Sequence, residues 1–467
     1  MVRNPCLHTN LRTTGMMQLA QRKAPQDQHM AEQDQQISPE SPLCLASERL
    51  EAAPERVVIR PFHLGWQAAT APSDRAGRLI ADILAMREAE VEENYRAMLA
   101  EFDDRHWQIE SVFDKRFLQV SAGGSVPDAL TVTRQRLIGA YFCHEYSYAA
   151  AALMNPSAVE HPDQTGISNG AVRFVMSMRA VGEGHISTIA FREGIIERDG
   201  SFQLWPQPPI ATSAEARVEV DNVDGEEPVR IFRDPDSTLS GTVIFPVTEP
   251  QRNGLEDLRL VRFEHDNGEL EWIGTYTAYS GSVIRSELLR TKDFHSFTLE
   301  PIRGRAGRNK GMALFPNMVD GKFMMVGRQD GKNLYLLSSD RLDCWDSDGE
   351  LLLKPKFPWE FIQIGNCGSP ILCKEGWLLL THGVGPMRKY SIGAALLDRD
   401  DPAKVLARSP APLLAAKDND RHGYVPNVVY SCGGMRVGKR LFLPYGLSDS
   451  AIGFASGQIK DILATLV

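Results

Sequence analysis

The sequence contains no uninterrupted apolar run long enough to span a membrane, and its N-terminus lacks the apolar core of a secretion signal. We therefore expect a cytoplasmic protein. The seven cysteines show no CxxC or zinc-ligand spacing, which is typical of reduced thiols that serve packing. The GxGxxG, P-loop, HExxH and GxSxG motifs do not occur in a credible context. These absences argue against nucleotide-dependent, zinc-protease and serine-hydrolase chemistry, and they imply no metal.

The chain also has no strong excess of one charge. Its 51 basic and 60 acidic side chains leave a net charge of -9, so nothing favours a nucleic-acid or anionic-membrane surface. Any anion site must be a local cluster of Arg, Lys and His. With 467 residues, 43% of them hydrophobic, the chain is long enough for one large domain and an accessory one.

Three regions differ in composition and periodicity. Residues 1–55 are rich in Gln, Ser, Pro and charge, so they bury too little apolar surface to offset chain entropy, and we predict disorder. Residues 56–154 show helical periodicity over 74–102, 109–120 and 129–152. This pattern predicts an N-terminal helical extension that caps the rest of the chain or supports a homo-oligomer.

From residue 155 to residue 467 the chain has short alternating or apolar runs separated by Gly, Asp and Pro, which predicts an all-β region. Two hairpin-turn signals, Asp320-Gly321 and Asp330-Gly331, lie ten residues apart, as a meander requires. Such meanders fit four to six propeller blades, and periodicity does not fix their number. The predicted strands are Val172–Met178, Leu258–Phe263, Leu270–Tyr276, Phe323–Val326, Leu334–Ser338, Trp377–Thr381 and Leu441–Tyr445.

A pair of adjacent carboxylates stands at the mouth of one of these strands. Glu256 and Asp257 precede Arg259 in the run from Asn253 to Val261. A carboxylate pair of this kind is suited to proton transfer onto a sugar. The alternative is a solvated strand end, and the run alone does not decide between the two.

Further motifs follow in a fixed order along the chain. They are Lys310–Asn317, Met324–Arg328, Gly365–Ile371, Gly376–Gly383, Val425–Tyr430 and Tyr445–Asp449. In content and order these motifs resemble glycoside hydrolase family 130, the β-mannoside phosphorylases and β-mannosidases. The segments Arg179–Ser187 and Gly365–Pro370 are most similar to the branch that contains the 1,2-β-mannoside phosphorylases.

The resemblance implies a five-bladed β-propeller with its active site at one end of the central channel. We therefore expect an all-β five-bladed β-propeller with an N-terminal α-helical extension. By the same resemblance, Asp257 is the general acid and acts through a hydroxyl of the mannosyl unit, and Glu256 supports it. Asn155, Arg179 and Asp449 match positions that hold the mannosyl hydroxyls.

One further substrate-binding residue is expected from the chain itself. Pro426 ends an extended segment and turns the chain towards the channel, so Asn427 is expected to line it. The alternative for Asn427 is a turn cap.

A phosphorylase must also hold phosphate with charge-assisted donors. Lys310 and Arg328 match two phosphate-binding positions of the family. A third position, a lysine in the family, corresponds here to Leu372, and a histidine found in many relatives corresponds to Gly327. The cationic side chains available to compensate are His185, His382, Arg179 and Arg388.

The leading hypothesis is an inverting phosphorylase that cleaves β-mannosides, with a β-1,2 linkage favoured, and releases α-mannose 1-phosphate. Inorganic phosphate is then a co-substrate, and no cofactor is expected. The expected partners are the mannoside oligosaccharide and phosphate, without nucleic acid or membrane. The alternatives are a β-mannosidase on the same scaffold, favoured by Leu372, and a non-catalytic sugar-binding propeller.

Overall fold

The computed structural model describes residues 41–62, 74–122, 126–127, 129–217, 222, 225–417 and 420–467. The disorder predicted for residues 1–40 lies outside these described residues. Strands make up most of the regular structure. None of the described helices has the length and apolar character that crossing a bilayer requires.

The strands within the described ranges are numbered in chain order. They are β1 (Cys44–Leu50), β2 (Val57–Pro61), β3 (Cys143–Ser147), β4 (Ala152–Glu160), β5 (Val172–Val181), β6 (Ser187–Ile196), β7 (Phe202–Leu204), β8 (Thr212–Ser213), β9 (Glu215–Arg217), β10 (Val229–Phe232), β11 (Thr242–Ile244), β12 (Gly254–Glu264), β13 (Leu270–Tyr279), β14 (Ile284–Thr291), β15 (Ser296–Pro301), β16 (Ala313–Leu314), β17 (Phe323–Gly327), β18 (Leu334–Ser339), β19 (Glu350–Leu353), β20 (Gln363–Asn366), β21 (Ile371–Leu372), β22 (Trp377–Val384), β23 (Tyr390–Leu397), β24 (Val405–Arg408), β25 (Leu414–Ala415), β26 (Val429–Tyr430), β27 (Met435–Val437), β28 (Arg440–Leu447) and β29 (Ala451–Gln458).

The seven strands predicted from alternation are confirmed, since each lies within an observed strand. These observed strands are β5, β12, β13, β17, β18, β22 and β28. The two Asp-Gly turns are also confirmed, and both Gly321 and Gly331 have positive φ angles, of 73° and 75°. They join β16 to β17 and β17 to β18 as antiparallel neighbours.

The strands pair mainly as antiparallel meanders. The largest sheet in the described part of the chain has 12 strands and begins β4-β5-β6-β12-β13-β14-β15. Its two halves, β4-β5-β6 and β12 to β15, are joined only where Gly254 pairs with Ser187. Three further meanders follow, formed by β16 to β19, by β20 to β25, and by β26 to β29 with β1.

Helices lie between β2 and β3, with one more at the end of the chain. They are α1 (Asp74–Ala85), α2 (Glu88–Phe102), α3 (Ile109–Ser121), α4 (Val132–Tyr141) and α5 (Ile459–Leu463). The single helix predicted over 74–102 is in fact two, because the buried Arg134 side chain donates to the carbonyls of Ile83 and Met86 at the end of α1. The helix predicted over 129–152 ends at Tyr141, and the chain continues into β3 and β4.

The predicted regional boundaries at residues 55 and 154 do not coincide with breaks in the structure. Predicted disorder to residue 55 is wrong for β1, which pairs antiparallel with β29 near the C-terminus. The boundary at 154 falls inside β4. Composition missed β1 because one short strand gains its stability from a partner more than 400 residues away, not from its own apolar content.

The first and last meanders pack on one another. Aromatic side chains of β5, β28 and β29, namely Phe174, Phe442 and Phe454, are fully buried in a shared cluster, and Phe442 stacks on Phe454. Backbone bonds also cross between them, since Cys432 N donates to Pro156 O at 2.9 Å. Strand β4, which contains Asn155, is thereby held against the C-terminal sheet.

Candidate active site

Two β-bulges turn polar side chains out of their strands. The register of β4 shifts between Met154 and Ser157, and that of β12 shifts between Glu256 and Arg259. Bulges of this kind re-aim side chains and are common beside active sites. They place Asn155 and Asp257 in these two irregular positions.

Both bulge residues have left-handed backbone. The φ angle is 50° at Asn155 and 58° at Asp257. Such conformations cost roughly 1–3 kcal/mol each and persist only where the surrounding structure enforces them, although Asn and Asp tolerate them best. Asp449, in the turn between β28 and β29, has the same conformation with φ at 49°.

The two bulges meet through a hydrogen bond and share an arginine. Asn155 Nδ2 donates to Asp257 Oδ1 at 2.6 Å. Arg179, on the neighbouring strand β5, donates to the same oxygen at 3.3 Å and to Glu256 Oε1 at 2.7 Å. Its Nε donates to Ser187 Oγ at 2.8 Å, which fixes the guanidinium plane. One oxygen of Asp257 therefore has two donors from fixed side chains.

A second arginine supports the bulge from within the protein. Arg259 is buried, and its Nη1 donates to the Asp257 carbonyl at 3.0 Å. Its other nitrogens donate to Asn366 Oδ1 at 3.2 Å and to the Tyr430 hydroxyl. Asn366 Nδ2 in turn donates to Gly311 O at 2.6 Å. The network joins four separate meanders beneath the carboxylates.

These groups line one cavity of about 210 Å³. Its lining residues are Asn155, Arg179, Glu256, Asp257, Arg259, Lys310, Gly311, Arg328, Gln363, Gly365, Asn366, His382, Arg388, Tyr390, Val428, Tyr430 and Asp449. Eight of the ten residues proposed from the sequence are in this set. The other two, His185 and Asn427, are not.

His185 and Asn427 lie on loops and make other contacts. His185 Nδ1 is 3.2 Å from the Tyr424 hydroxyl. Arg421 Nε donates to Asn427 Oδ1 at 2.8 Å, and the left-handed backbone at Asn427, with φ at 63°, leaves Val428 on the cavity instead. The structure therefore does not bring the Asn427 side chain to this cavity, contrary to the expectation from Pro426.

Three cations of the cavity have no carboxylate of the described residues in direct contact. Within the part of the chain that the structure describes, Lys310, Arg328 and Arg388 form no ion pair and donate no side-chain hydrogen bond. Leu372 adds no charge here and packs against an apolar cluster. The three side chains are therefore available to an anion.

The cavity gives its carboxyl groups different proton affinities. Burial raises the pKa of Asp257, but Arg179, Arg259 and the Asn155 amide outweigh burial and leave that pKa below its ordinary value. The pKa of Glu256 is raised, because burial exceeds the effect of Arg179. Burial and the charge of Asp257 raise the pKa of Asp449 to about 6.

His382 is held neutral. Burial, together with the charges of Arg328 and Arg259, lowers its pKa to about 3. Its Nδ1 lies 3.1 Å from the Asn366 carbonyl, which can only accept, so we assign the proton to Nδ1. Nε2 is then an acceptor and not a second positive donor.

Several lining residues were not proposed from the sequence. Asn366 and Tyr430 lie in motifs that carried the resemblance, but their role in holding Arg259 depends on contacts between distant strands. Gln363 and Tyr390 are the first residues of β20 and β23, and the sequence around them contains no motif that indicates a binding site. Arg388 was noted only as a spare cation, and its position depends on the turn between β22 and β23.

A cavity lined by carboxylates, amides and arginines in a mostly-β protein has the composition typical of carbohydrate-binding sites. The sequence model of glycoside hydrolase family 130, described as β-1,4-mannooligosaccharide phosphorylase, matches residues 213–467. Since this match covers more than half of the chain, the chain belongs to that family. The family prediction from the sequence is confirmed.

Characterised relatives are similar to part of the chain. A 1,2-β-oligomannan phosphorylase of Thermoanaerobacter sp. strain X514 is 38% identical over 156 residues, which are 33% of this chain and 52% of the relative. A β-1,2-mannobiose phosphorylase of Listeria innocua is 30% identical over 231 residues, which are 48% of this chain and 63% of the relative. The chain thus matches between half and two thirds of the length of these relatives.

The fold is also found in a solved structure. A protein from Parabacteroides distasonis, provisionally assigned to the glycoside hydrolases, superimposes with a TM-score of 0.50 at 21% identity. The match covers 67% of this chain and 89% of that protein. This similarity concerns the fold alone.

Proposed function

We propose that this chain is an inverting β-mannoside phosphorylase that uses inorganic phosphate and releases α-mannose 1-phosphate. The observation that carries the proposal is the presence of Lys310, Arg328 and Arg388, without ion-pair partners in the described residues, in the cavity that holds Asp257. Phosphate carries nearly two negative charges, and arginine and lysine are its usual ligands. Arg388 supplies the positive charge that Leu372, at the position of the family lysine, does not provide.

In the proposed reaction a phosphate oxygen forms a bond to the anomeric carbon as the bond to the leaving oxygen breaks. The leaving oxygen takes a proton, which Asp257 supplies through a hydroxyl of the mannosyl unit. Arg179 and Arg259 favour the ionised form of Asp257. A bound phosphate adds negative charge beside it, and like charge raises a carboxyl pKa. Phosphate binding therefore prepares Asp257 to hold the proton that it delivers.

The remaining lining residues have distinct tasks in this proposal. Asn155, Arg179 and Asp449 bind mannosyl hydroxyls, and Glu256 supports Asp257 through their shared arginine. His382, with Nε2 unprotonated, accepts a hydrogen bond from a protonated phosphate oxygen. No cofactor takes part, because phosphate itself is the nucleophile.

The proposed architecture is a five-bladed β-propeller with helices inserted near the N-terminus. Its support is the division of the strands into five successive meanders, since the 12-stranded sheet is two meanders joined at a single residue pair. The site residues come from strands of four of these meanders. A cavity shared by several blades is expected at one end of a propeller channel.

A β-1,2 linkage is proposed for the substrate. Both relatives described above are named for activity on 1,2-linked mannosides. The family description names a 1,4 linkage, so the linkage has to be tested. The second candidate is a β-mannosidase, favoured by the additional carboxyl groups of Glu256 and Asp449 in the cavity, either of which could activate water.

The test is incubation with β-1,2-mannobiose, with and without phosphate, followed by quantification of α-mannose 1-phosphate and free mannose. We expect mannose 1-phosphate only with phosphate, and a decrease in kcat of about 10²–10⁴-fold for Asp257→Asn. Asp400→Asn, at an exposed position outside the cavity, is the matched control. Equal mannose release without phosphate would establish the hydrolase instead. No turnover of either 1,2- or 1,4-linked mannobiose would refute both enzymes.

A further inference from the structure

Two ring side chains stand together on the surface near the cavity. The Tyr424 side chain is 53% exposed, and the neighbouring His185 is exposed as well. Their ring centroids are 5.9 Å apart with planes inclined at 37°, and the Tyr424 hydroxyl lies 3.2 Å from His185 Nδ1. Neither ring is needed to fill a core.

His185 belongs to the turn between β5 and β6. This turn, Glu183–His185, follows the strand that carries Arg179 and precedes Ser187, whose hydroxyl accepts from Arg179 Nε. The backbone of His185 is left-handed, with φ at 60°. His185 is thus two residues along the chain from Ser187, a direct hydrogen-bond partner of a cavity arginine.

The turn is anchored by the antiparallel strand pair of β2 and β3. Tyr146, buried on β3, donates its hydroxyl proton to Glu183 O at 2.7 Å. A Cβ atom on Gly182 would lie 2.6 Å from that hydroxyl, so only glycine fits against the anchor. His185 is therefore held on a fixed turn.

Tyr424 lies 239 residues after His185 along the chain. Its backbone N donates to Ser450 Oγ at 2.6 Å, and Ser450 follows Asp449, a cavity residue. Val425 N donates to Ser448 O at 2.9 Å, which fixes the same loop on the β28–β29 turn. The contact between Tyr424 and His185 thus joins the turn next to Arg179 to the turn next to Asp449.

We infer that Tyr424, braced by His185, is the platform on which the leaving sugar of the substrate stacks. The inference rests on the proposed function, in which Asn155, Arg179 and Asp449 hold the mannosyl unit deeper in the cavity. The sugar beyond the scissile bond then extends to the rim. Pyranose rings pack their C–H faces on aromatic rings, and a tyrosine braced at its hydroxyl keeps its face available at little entropic cost.

The test compares Tyr424→Ala with Tyr424→Phe in the synthetic direction, from α-mannose 1-phosphate and mannose. Tyr424→Ala is expected to raise the KM for the acceptor mannose about tenfold and to change the KM for mannose 1-phosphate less than twofold. Tyr424→Phe keeps the ring and is expected to raise the acceptor KM less than threefold. Tyr141→Ala removes a tyrosine that is 44% exposed on α4 and serves as the matched control.

His185→Ala gives an independent second variant, with an expected three- to fivefold rise in acceptor KM. Thermal unfolding of each variant reports whether it is folded. An unchanged acceptor KM in a folded Tyr424→Ala variant would overturn the inference. If the wild type shows no phosphorolysis, calorimetric titration with β-1,2-mannobiose separates the two proposals. If Tyr424→Ala weakens the binding of mannobiose, the stacking role of Tyr424 stands and the phosphorylase activity is refuted. If the variant and the wild type bind mannobiose equally, both proposals are refuted.

Discussion

Asp449 shows how the cavity sets the properties of a single side chain. It is half-buried near Asp257, and Arg179 and Arg388 offset the resulting rise in its pKa only in part. An aspartate is usually ionised above pH 4. In the folded protein Asp449 keeps its proton to about pH 6, so the fold binds one more proton than the unfolded chain between these values.

This proton has a consequence for stability. Because the folded pKa of Asp449 is raised, its contribution to the free energy of unfolding falls as the pH rises from about 4 to about 6 and stays unfavourable above that. Asp449→Asn is expected to raise the free energy of unfolding at pH 7 by up to about 3 kcal/mol, from about 1.4 kcal/mol per pKa unit.

Urea unfolding of both proteins at pH 4 and pH 7 measures this effect. The free energy of unfolding of Asp449→Asn should exceed that of the wild type clearly at pH 7, and the two values should be nearly equal at pH 4. An equal difference at the two pH values would show that the asparagine acts through packing and not through the proton. Under the proposed role of Asp449 in binding mannosyl hydroxyls, mannoside affinity should also fall at both pH values.

About half of the residues that line the cavity could be predicted from the sequence, while the directions of their side chains could not. The family resemblance carried by the ordered motifs predicted Asp257, Lys310 and Arg328 as site residues. His185 was named as a cation that could compensate for the charges missing at Leu372 and Gly327, yet the structure leaves it out of the cavity lining. A left-handed residue decides where a turn aims its side chains, and the local sequence does not show which residue is left-handed.

The elements of the fold carry the site through their irregularities. Strand β12 buries Leu255, Leu258 and Leu260 in one cluster. Side chains on one face of a regular strand recur every two residues, as Leu258 and Leu260 do. Leu255 and Leu258 are three residues apart, and this break in the period indicates the bulge at Glu256 and Asp257. Alternation predicted the strand over 258–263, and this break in phase was the signal for its extension. The bulge in β4 has no comparable pattern of large apolar residues.

The packing of β20 against β22 offers a test at this scale. A Cβ atom on Gly365 would lie 2.1 Å from His382 Cε1, so Gly365→Ala must displace the imidazole or the strand. We expect the KM for phosphate to rise at least tenfold, because His382 and its carbonyl partner on Asn366 both lie on the cavity. Steady-state phosphorolysis at varied phosphate concentration measures it.

Gly77→Ala is the control for that substitution. A Cβ atom at Gly77 in α1 meets nothing within 4 Å, and alanine favours a helix over glycine by about 1 kcal/mol. Kinetics of this variant should match the wild type, with equal or greater stability. An unchanged phosphate KM in Gly365→Ala would mean that His382 does not contact phosphate.

At the scale of the whole molecule, the N-terminal strand completes the C-terminal sheet. Leu43, next to β1, is 5% exposed and packs in a cluster with Ile459 and Ile462 of α5. Leu43→Ala is expected to lower the free energy of unfolding by about 2–4 kcal/mol, through lost burial and the cavity left behind.

Leu45→Ala is the matched control, since Leu45 lies two residues further along, within β1, and is 39% exposed. Its effect should stay within about 0.5 kcal/mol. Urea unfolding of the two variants measures the difference. Equal effects would show that β1 does not contribute to the core in solution.

The pairing of β1 with β29 also bears on how the chain is made. A ribosome releases residues 44–50 more than 400 residues before residues 451–458, so β1 must wait for its partner while the whole segment between them is made. Strand β1 can join its sheet only after β29 has been synthesised. A nascent chain arrested before β29 is therefore left with β1 unpaired, where a chaperone or a second nascent chain can reach it.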